Sequence, residues 1–315
     1  MKLMITRELT EPVLAAARAR FDVTLRDRED LPEEGELVAM LRDYDAILCS
    51  IGDRFTAQVF AQVPEPRAKL LANFGAGYNH LDVPAARAAG LAVTNTPGAV
   101  TEATADIGVS LVLMAARRLG EGERIVRAGL WRGWKPTQML GTDVTGKTVG
   151  IIGMGRIGKA VARRLHHGFG MDVIFHNRSA VEDAGVPATQ VSFDVAMAAD
   201  FVVVCVPGGT DTHHLIDAKA FAHMRPHGIF VNISRGDVVD ETALVAALQG
   251  GQIRAAGLDV YEFEPKVPAA LCEMENVVLL PHLGTACHEA RDEMGFLALS
   301  NVIALAEGKP LVSPV

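Results

Sequence analysis

Thr148-Val149-Gly150-Ile151-Ile152-Gly153-Met154-Gly155-Arg156-Ile157-Gly158, running into Lys159-Ala160-Val161-Ala162-Arg163-Arg164-Leu165, reads as a buried strand, a glycine turn and a helix. The G-x-G-x-x-G spacing assigns Gly153 to the tight turn, Gly155 to a close backbone approach and Gly158 to packing of the helix against the strand. Unpaired N–H groups and the dipole at the helix start favour an anion, so a dinucleotide pyrophosphate is expected on Met154, Arg156, Ile157 and the glycines. A glycine string alone is weak. Here the apolar strand before it and the helical pattern after it supply the required context.

The rest of the chain extends this pattern in both directions. Upstream, Lys2–Thr6, Asp22–Leu25, Ala46–Cys49, Lys69–Phe74 and Leu91–Asn95 are short apolar or β-branched runs with helical patterns between most of them, which indicates parallel βαβ units. Thr96-Pro97-Gly98 breaks the pattern. Beyond it, the spacing of Ile107, Leu111, Met114 and Ala115 predicts one long helix from Thr101 to Ala128. Trp131-Arg132-Gly133-Trp134-Lys135-Pro136 is an irregular loop whose tryptophans read either as cover for the edge of the core, the favoured reading, or as substrate contacts. After the glycine turn, strands are expected at 171–176, 201–206, 228–233, 253–260 and 277–280, six with the central one, as in a dinucleotide-binding sheet. The last helix, from His288, has no strand partner nearby and is expected to return to the first domain. That gives a discontinuous domain of residues 1–98 with 285–315, a dinucleotide-binding domain of residues 99–284, and a cleft between them.

Composition narrows the function. A chain of 315 residues with 49% hydrophobic content can bury two cores. The net charge of −8 without a basic tract argues against nucleic acid as a partner. Neither a signal peptide nor a membrane-length apolar run is evident, so a cytoplasmic location away from membranes is expected. Cys49, Cys205, Cys272 and Cys287 form no C-x-x-C pair, and Cys49 and Cys205 in strand-like runs read as buried thiols. His166-His167 and His213-His214 lack a cysteine or carboxylate at ligand spacing, so no metal is expected.

Three polar residues follow late strands: Arg235 in Ser234-Arg235-Gly236, Glu264 in Tyr261-Glu262-Phe263-Glu264-Pro265 and His282 after Pro281. Ligands of open α/β sheets bind beyond the carboxyl ends of the strands. The guanidinium fork of Arg235 suits a carboxylate, and His282 suits proton transfer. Spacing alone does not choose between Glu262 and Glu264.

The glycine turn, Asn232-Ile233-Ser234-Arg235-Gly236, Leu258-Asp259-Val260-Tyr261-Glu262-Phe263-Glu264-Pro265 and Pro281-His282-Leu283-Gly284 resemble the motifs of the D-isomer-specific 2-hydroxyacid dehydrogenases. The resemblance spans nearly the whole chain. Asn73-Phe74-Gly75-Ala76-Gly77-Tyr78-Asn79-His80-Leu81-Asp82 and the two-tryptophan loop are most similar to the glyoxylate/hydroxypyruvate reductase branch. The implied fold is α/β, two doubly wound parallel-sheet domains, a Rossmann domain and a flavodoxin-like substrate domain. The implied reaction is NAD(P)-dependent reduction of a small 2-oxo acid. Glu264, before the proline, matches the catalytic acid; it would hydrogen-bond His282 and favour the imidazolium that donates the proton, while Arg235 holds the carboxylate and polarises the ketone. Backbone N–H groups of Ala76 and Gly77 match the carboxylate-binding loop. Thr104 and Asp259 match positions at the nicotinamide end, and Val206, Pro207, Thr212, Ile233, His282 and Gly284 match further cofactor contacts. A homodimer joined through the second domain, by the 101–128 helix and the Trp131–Pro136 loop, is also implied.

Cofactor choice rests on residues 24 positions past Gly153, where NAD sites place an acidic residue about 20 on from the turn. Asn177-Arg178-Ser179 supplies no carboxylate there, and Arg178 could pair with a 2′-phosphate, so NADP(H) is expected over NAD(H). The rivals are a dehydrogenase for another 2-hydroxy acid, of phosphoglycerate type, and a dinucleotide-sensing corepressor. The first often carries an added regulatory domain and the second gains from extended tails, neither of which is expected here.

Overall fold

The computed structural model describes residues 1–315, which divide into two units, Met1–Val100 with Thr285–Val315, and Thr101–Gly284.

In the first unit, β1 (Lys2–Ile5), β2 (Asp22–Leu25), β3 (Ala46–Ser50), β4 (Leu70–Phe74) and β5 (Ala92–Thr94) form an all-parallel sheet in the order β2-β1-β3-β4-β5. This is the flavodoxin-like order. β3 and β4 are nearly continuous apolar runs because helices cover both faces of a parallel sheet. The closing helix, His288–Ala306, packs on β3, β4 and the helix Glu11–Arg18. Gly295 permits that approach, since a Cβ there would lie 2.6 Å from Val13 Cγ2. The C-terminal segment then runs antiparallel to β5, with the Val315 N–H donating to Val93 O at 3.1 Å.

In the second unit, β6 (Thr148–Ile152), β7 (Asp172–His176), β8 (Ala188–Gln190), β9 (Phe201–Val204), β10 (Ile229–Asn232), β11 (Ala255–Leu258) and β12 (Val277–Leu279) give a parallel sheet ordered β12-β11-β10-β9-β6-β7-β8. The order reverses beside β6, directly under the glycine turn. β8 is a seventh strand where the sequence indicated six. Its three residues, Ala188-Thr189-Gln190, pair only with β7 at the sheet edge and are mostly exposed, so they carry no apolar signal.

The long helix is also broken. Helices run from Thr101 to Arg117 and from Leu119 to Arg127, with Arg118 left-handed at φ 55° between them. The cause is non-local. The Ala116 carbonyl, which a continuous helix would give to Gly120, accepts instead from the Thr142 N–H at 2.8 Å. A side chain at Gly141 would overlap that carbonyl, so the returning loop can reach it only with glycine. Trp131 and Trp134 do not cover the core: they are 56% and 79% exposed. All four cysteines are free, and burial holds the Cys49 thiol well above its ordinary value. No helix is long and apolar enough to cross a membrane.

Candidate active site

The glycine turn divides its labour among three positions. Gly153 takes φ +99°, and a Cβ there would lie 2.9 Å from the Val206 backbone nitrogen. Gly155, the N-cap of the helix Arg156–Phe169, faces open space, while a side chain at Gly158 would overlap the Gly153 carbonyl. The N–H groups of Gly155, Arg156 and Ile157 find no acceptor in the chain, so the helix start is free to bind an anion. Asn177 Oδ1 accepts from the Met154 N–H at 3.2 Å, and its Nδ2 donates to Ser179 O at 3.0 Å, so Asn177 braces the turn. Thr212 closes the loop after β9, its hydroxyl donating to Pro207 O at 2.7 Å. Ile233 is buried against the helix Thr101–Arg117, where its Cδ1 would lie 2.8 Å from a Cβ at Gly108.

Arg178 projects from the end of β7. It is 88% exposed and pairs at 3.1 Å with Asp211, itself 79% exposed. The sequence showed no carboxylate at this point. The structure brings one in from 33 residues on, in the loop that Thr212 closes.

Beyond the ends of β10, β11 and β12, three turns fit together. Buried Asn232 folds the first: its Oδ1 accepts from the Ser234 N–H and hydroxyl, both at 3.0 Å, and its Nδ2 donates to Arg235 O at 3.0 Å. Gly236 follows Arg235 because a Cβ there would overlap the Tyr261 carbonyl group, backbone against backbone. The Tyr261 hydroxyl donates to Leu280 O at 2.9 Å, joining the second turn to the third. From the second, Asp259 reaches into the third: it is 1% exposed and both its oxygens are taken, by the Leu283 N–H at 2.6 Å and the Gly284 N–H at 2.8 Å. Burial pushes the Asp259 carboxyl up, against the pull of those N–H groups. These bonds hold the turn in which His282 adopts φ 54°, a left-handed conformation. Thr104 lies beside it, with Oγ1 3.3 Å from where a Gly284 Cβ would stand.

These turns sort the two glutamates. Glu264 Oε2 meets His282 Nδ1 at 2.9 Å, and Oε1 accepts from the Tyr261 N–H at 3.0 Å. Glu262 turns away to His214 Nε2, at 2.8 Å. The His213–His214 pair thus has a carboxylate that spacing hid, with donor atoms of the three residues within 4.8 Å of one another. Burial raises the Glu264 carboxyl, but the His282 hydrogen bond and charge, the Tyr261 N–H and Arg235 outweigh it and leave it below the ordinary value. Arg235 spends Nη1 on Ser234 O at 2.7 Å; its Nε is buried without a partner. Burial lowers its pKa, with Glu264 and Asp237 pulling the other way.

Asn232, Tyr261 and Glu241 shape these turns without having stood out in the sequence. Glu241 is buried and accepts the Glu262 N–H at 3.0 Å. Its signal was an acid opening a helix, which is ordinary at such a position.

A family model for the NAD binding domain of D-isomer specific 2-hydroxyacid dehydrogenases matches residues 109–284. The chain belongs to that family. Within it, the chain is 39% identical to a glyoxylate reductase of Thermococcus litoralis over 98% of this chain and 94% of the relative. A glyoxylate reductase from Paecilomyes thermophila superposes with a TM-score of 0.89 at 33% identity, covering 100% and 98% of the two chains. An NADPH-dependent glyoxylate/hydroxypyruvate reductase from Sinorhizobium meliloti, solved with NADP and malonate, superposes with a TM-score of 0.88 at 36% identity, covering 100% and 96%. Membership in this family, in its glyoxylate reductase branch, makes the protein an NAD(P)-dependent oxidoreductase.

Proposed function

We propose that the protein reduces a small 2-oxo acid, glyoxylate or hydroxypyruvate, to the 2-hydroxy acid, of D configuration where the product is chiral, with NADPH as the preferred reductant. The observation that carries this reading is the Glu264–His282 pair on the same sheet end as Arg235 and the glycine turn. Bound nicotinamide would supply the hydride. With His282 Nδ1 committed to Glu264, Nε2 is the nitrogen left to give a proton to the carbonyl oxygen. Glu264, held anionic, orients the ring and faces its positive charge. Arg235 keeps the Nε and Nη2 edge of its guanidinium free of protein partners, which is the edge that grips a carboxylate with two N–H groups. Ala76 and Gly77 also offer backbone N–H groups to the carboxylate.

Arg178 and Ser179 are the proposed partners of the 2′-phosphate, and Arg178 would give up Asp211 to take it. The relative from Sinorhizobium meliloti, which holds NADP, supports this choice. A homodimer accompanies the reading: Leu119, Val126, Leu130, Trp131, Trp134 and Leu140 are all exposed in one segment of the second unit, and clustered exposed apolar side chains mark surfaces that associate. A panel of 2-oxo acids assayed with NADPH and with NADH, read by nicotinamide absorbance, tests the function. Turnover of glyoxylate or hydroxypyruvate, fastest with NADPH, is the expected result; inactivity on both, with turnover of bulkier acids, would refute it.

A further inference from the structure

The loop after β4 is held in an unusual way. Asn73, in β4 opposite Cys49 of β3, is fully buried, and its Nδ2 donates to both Gly75 O at 2.9 Å and Gly77 O at 3.0 Å. Asn95, just past β5, donates its Nδ2 to the carbonyl between them, Ala76 O, at 2.7 Å. The Thr96 N–H adds a second bond to Gly75 O at 3.0 Å. Three consecutive carbonyls are therefore drawn toward carboxamides, while the N–H groups of Ala76 and Gly77 donate to nothing in the chain. Successive N–H groups freed in a turn make a concavity for an anion.

Asparagine is the side chain this needs. One NH2 group can serve two carbonyls, whereas the reverse amide orientation would set Oδ1 against both of them. Asn73 Oδ1 is left buried without a partner, a cost that packing alone would avoid by placing an apolar residue here. Asn95 is anchored in turn. Its N–H donates to Ser313 O at 3.2 Å and its carbonyl accepts from Ser313 Oγ at 2.6 Å. Ser313 Oγ also accepts from Asn301 Nδ2 at 3.0 Å, and Asn301 is fully buried in the closing helix. The C-terminal segment thus braces one of the two clamps.

We propose that Asn73 and Asn95 are positioning residues for the substrate carboxylate, fixing the 75–77 carbonyls so that the Ala76 and Gly77 N–H groups stay aimed at it. This rests on the reading that those two N–H groups bind the carboxylate. Neither asparagine touches substrate; each acts through the loop.

The experiment compares glyoxylate with glycolaldehyde, an aldehyde of the same chain length with a hydroxymethyl group in place of the carboxylate, in the unmodified protein and in Asn73→Asp and Asn95→Ala. NADPH affinity is followed by fluorescence titration. Asn73→Asp keeps the side-chain size but turns an oxygen onto two carbonyls. It should raise the glyoxylate KM about 10- to 100-fold, the worth of a charge-assisted hydrogen bond, with a smaller rise for Asn95→Ala. The KM for glycolaldehyde and the Kd for NADPH should stay unchanged in both. Should Asn73→Asp not fold, Asn95→Ala decides. An unchanged glyoxylate KM in the folded variants, or equal losses on both substrates, would overturn the positioning role. A full-length protein that does not prefer glyoxylate over glycolaldehyde would overturn the carboxylate reading beneath it.

Discussion

Glu264 reaches His282 with one carboxylate oxygen and the backbone of its own turn with the other, so a single side chain joins two strand ends. Burial raises the carboxyl, but the His282 bond and charge, the Tyr261 N–H and Arg235 together leave it below its ordinary value of 4.5. A group whose folded value is depressed adds stability above its unfolded value and loses it as pH falls through the folded one. Glu264→Gln should therefore melt below the unmodified protein near neutral pH, with the gap closing as pH drops through the carboxylate range. A gap in Tm that stays constant from about pH 7 to about pH 4 would contradict the pairing.

Gly236→Ala tests the contact between the Arg235 turn and the Glu264 turn. The added methyl would overlap the Tyr261 carbonyl group, and rigid backbone must move on both sides. Overpacking of this kind costs about 1–3 kcal/mol or more. Both a lower denaturation midpoint and a fall in kcat are expected, since Arg235 and Glu264 shift together. Full activity and stability in this variant would show that the turns do not need their close approach.

Asp211 gives the cofactor prediction its control. An exposed pair such as Arg178–Asp211 contributes about 0–1 kcal/mol, so it yields readily to a phosphate. If Arg178 binds the 2′-phosphate, a charge-assisted bond of about 1.5–3 kcal/mol should favour NADPH over NADH by about 10- to 100-fold in kcat/KM. Arg178→Ala should erase most of that preference, and Asp211→Asn should enlarge it by freeing the guanidinium and removing a repelling charge. Equal use of the two cofactors, or an Arg178→Ala variant with unchanged selectivity, would rule out a phosphate contact here.

The exposed segment from Leu119 to Leu140 predicts self-association. Sedimentation at micromolar concentration should give a dimer, and Trp131→Ser with Trp134→Ser should weaken it. A monomeric unmodified protein would sink the proposal.

What could be read in the chain was whatever depends on neighbours in sequence. Strand-turn-helix patterning located the glycine turn, and the alternation of apolar runs placed eleven of the strands that form. Contacts made across long intervals stayed hidden. The break at Arg118 is caused by Thr142, the carboxylate beside Arg178 comes from Asp211, and β8 exists only because β7 offers it an edge. The candidate site divides the same way. Arg235, Glu264 and His282 were legible from their places after strands and from motif resemblance, but the division of tasks between Glu262 and Glu264 became physical only with His214 in place. Asp259 was marked only by motif resemblance, and its hydrogen bonds to the backbone that follows His282, 24 and 25 residues on, were not legible.

The most direct test of His282 as the proton donor to the substrate carbonyl is kcat for glyoxylate with saturating NADPH in His282→Asn, beside the Kd for NADPH in the same variant. General acid catalysis contributes about 100- to 10,000-fold, so kcat should fall by that order while the Kd stays near that of the unmodified protein. Near-native kcat in His282→Asn would contradict the account.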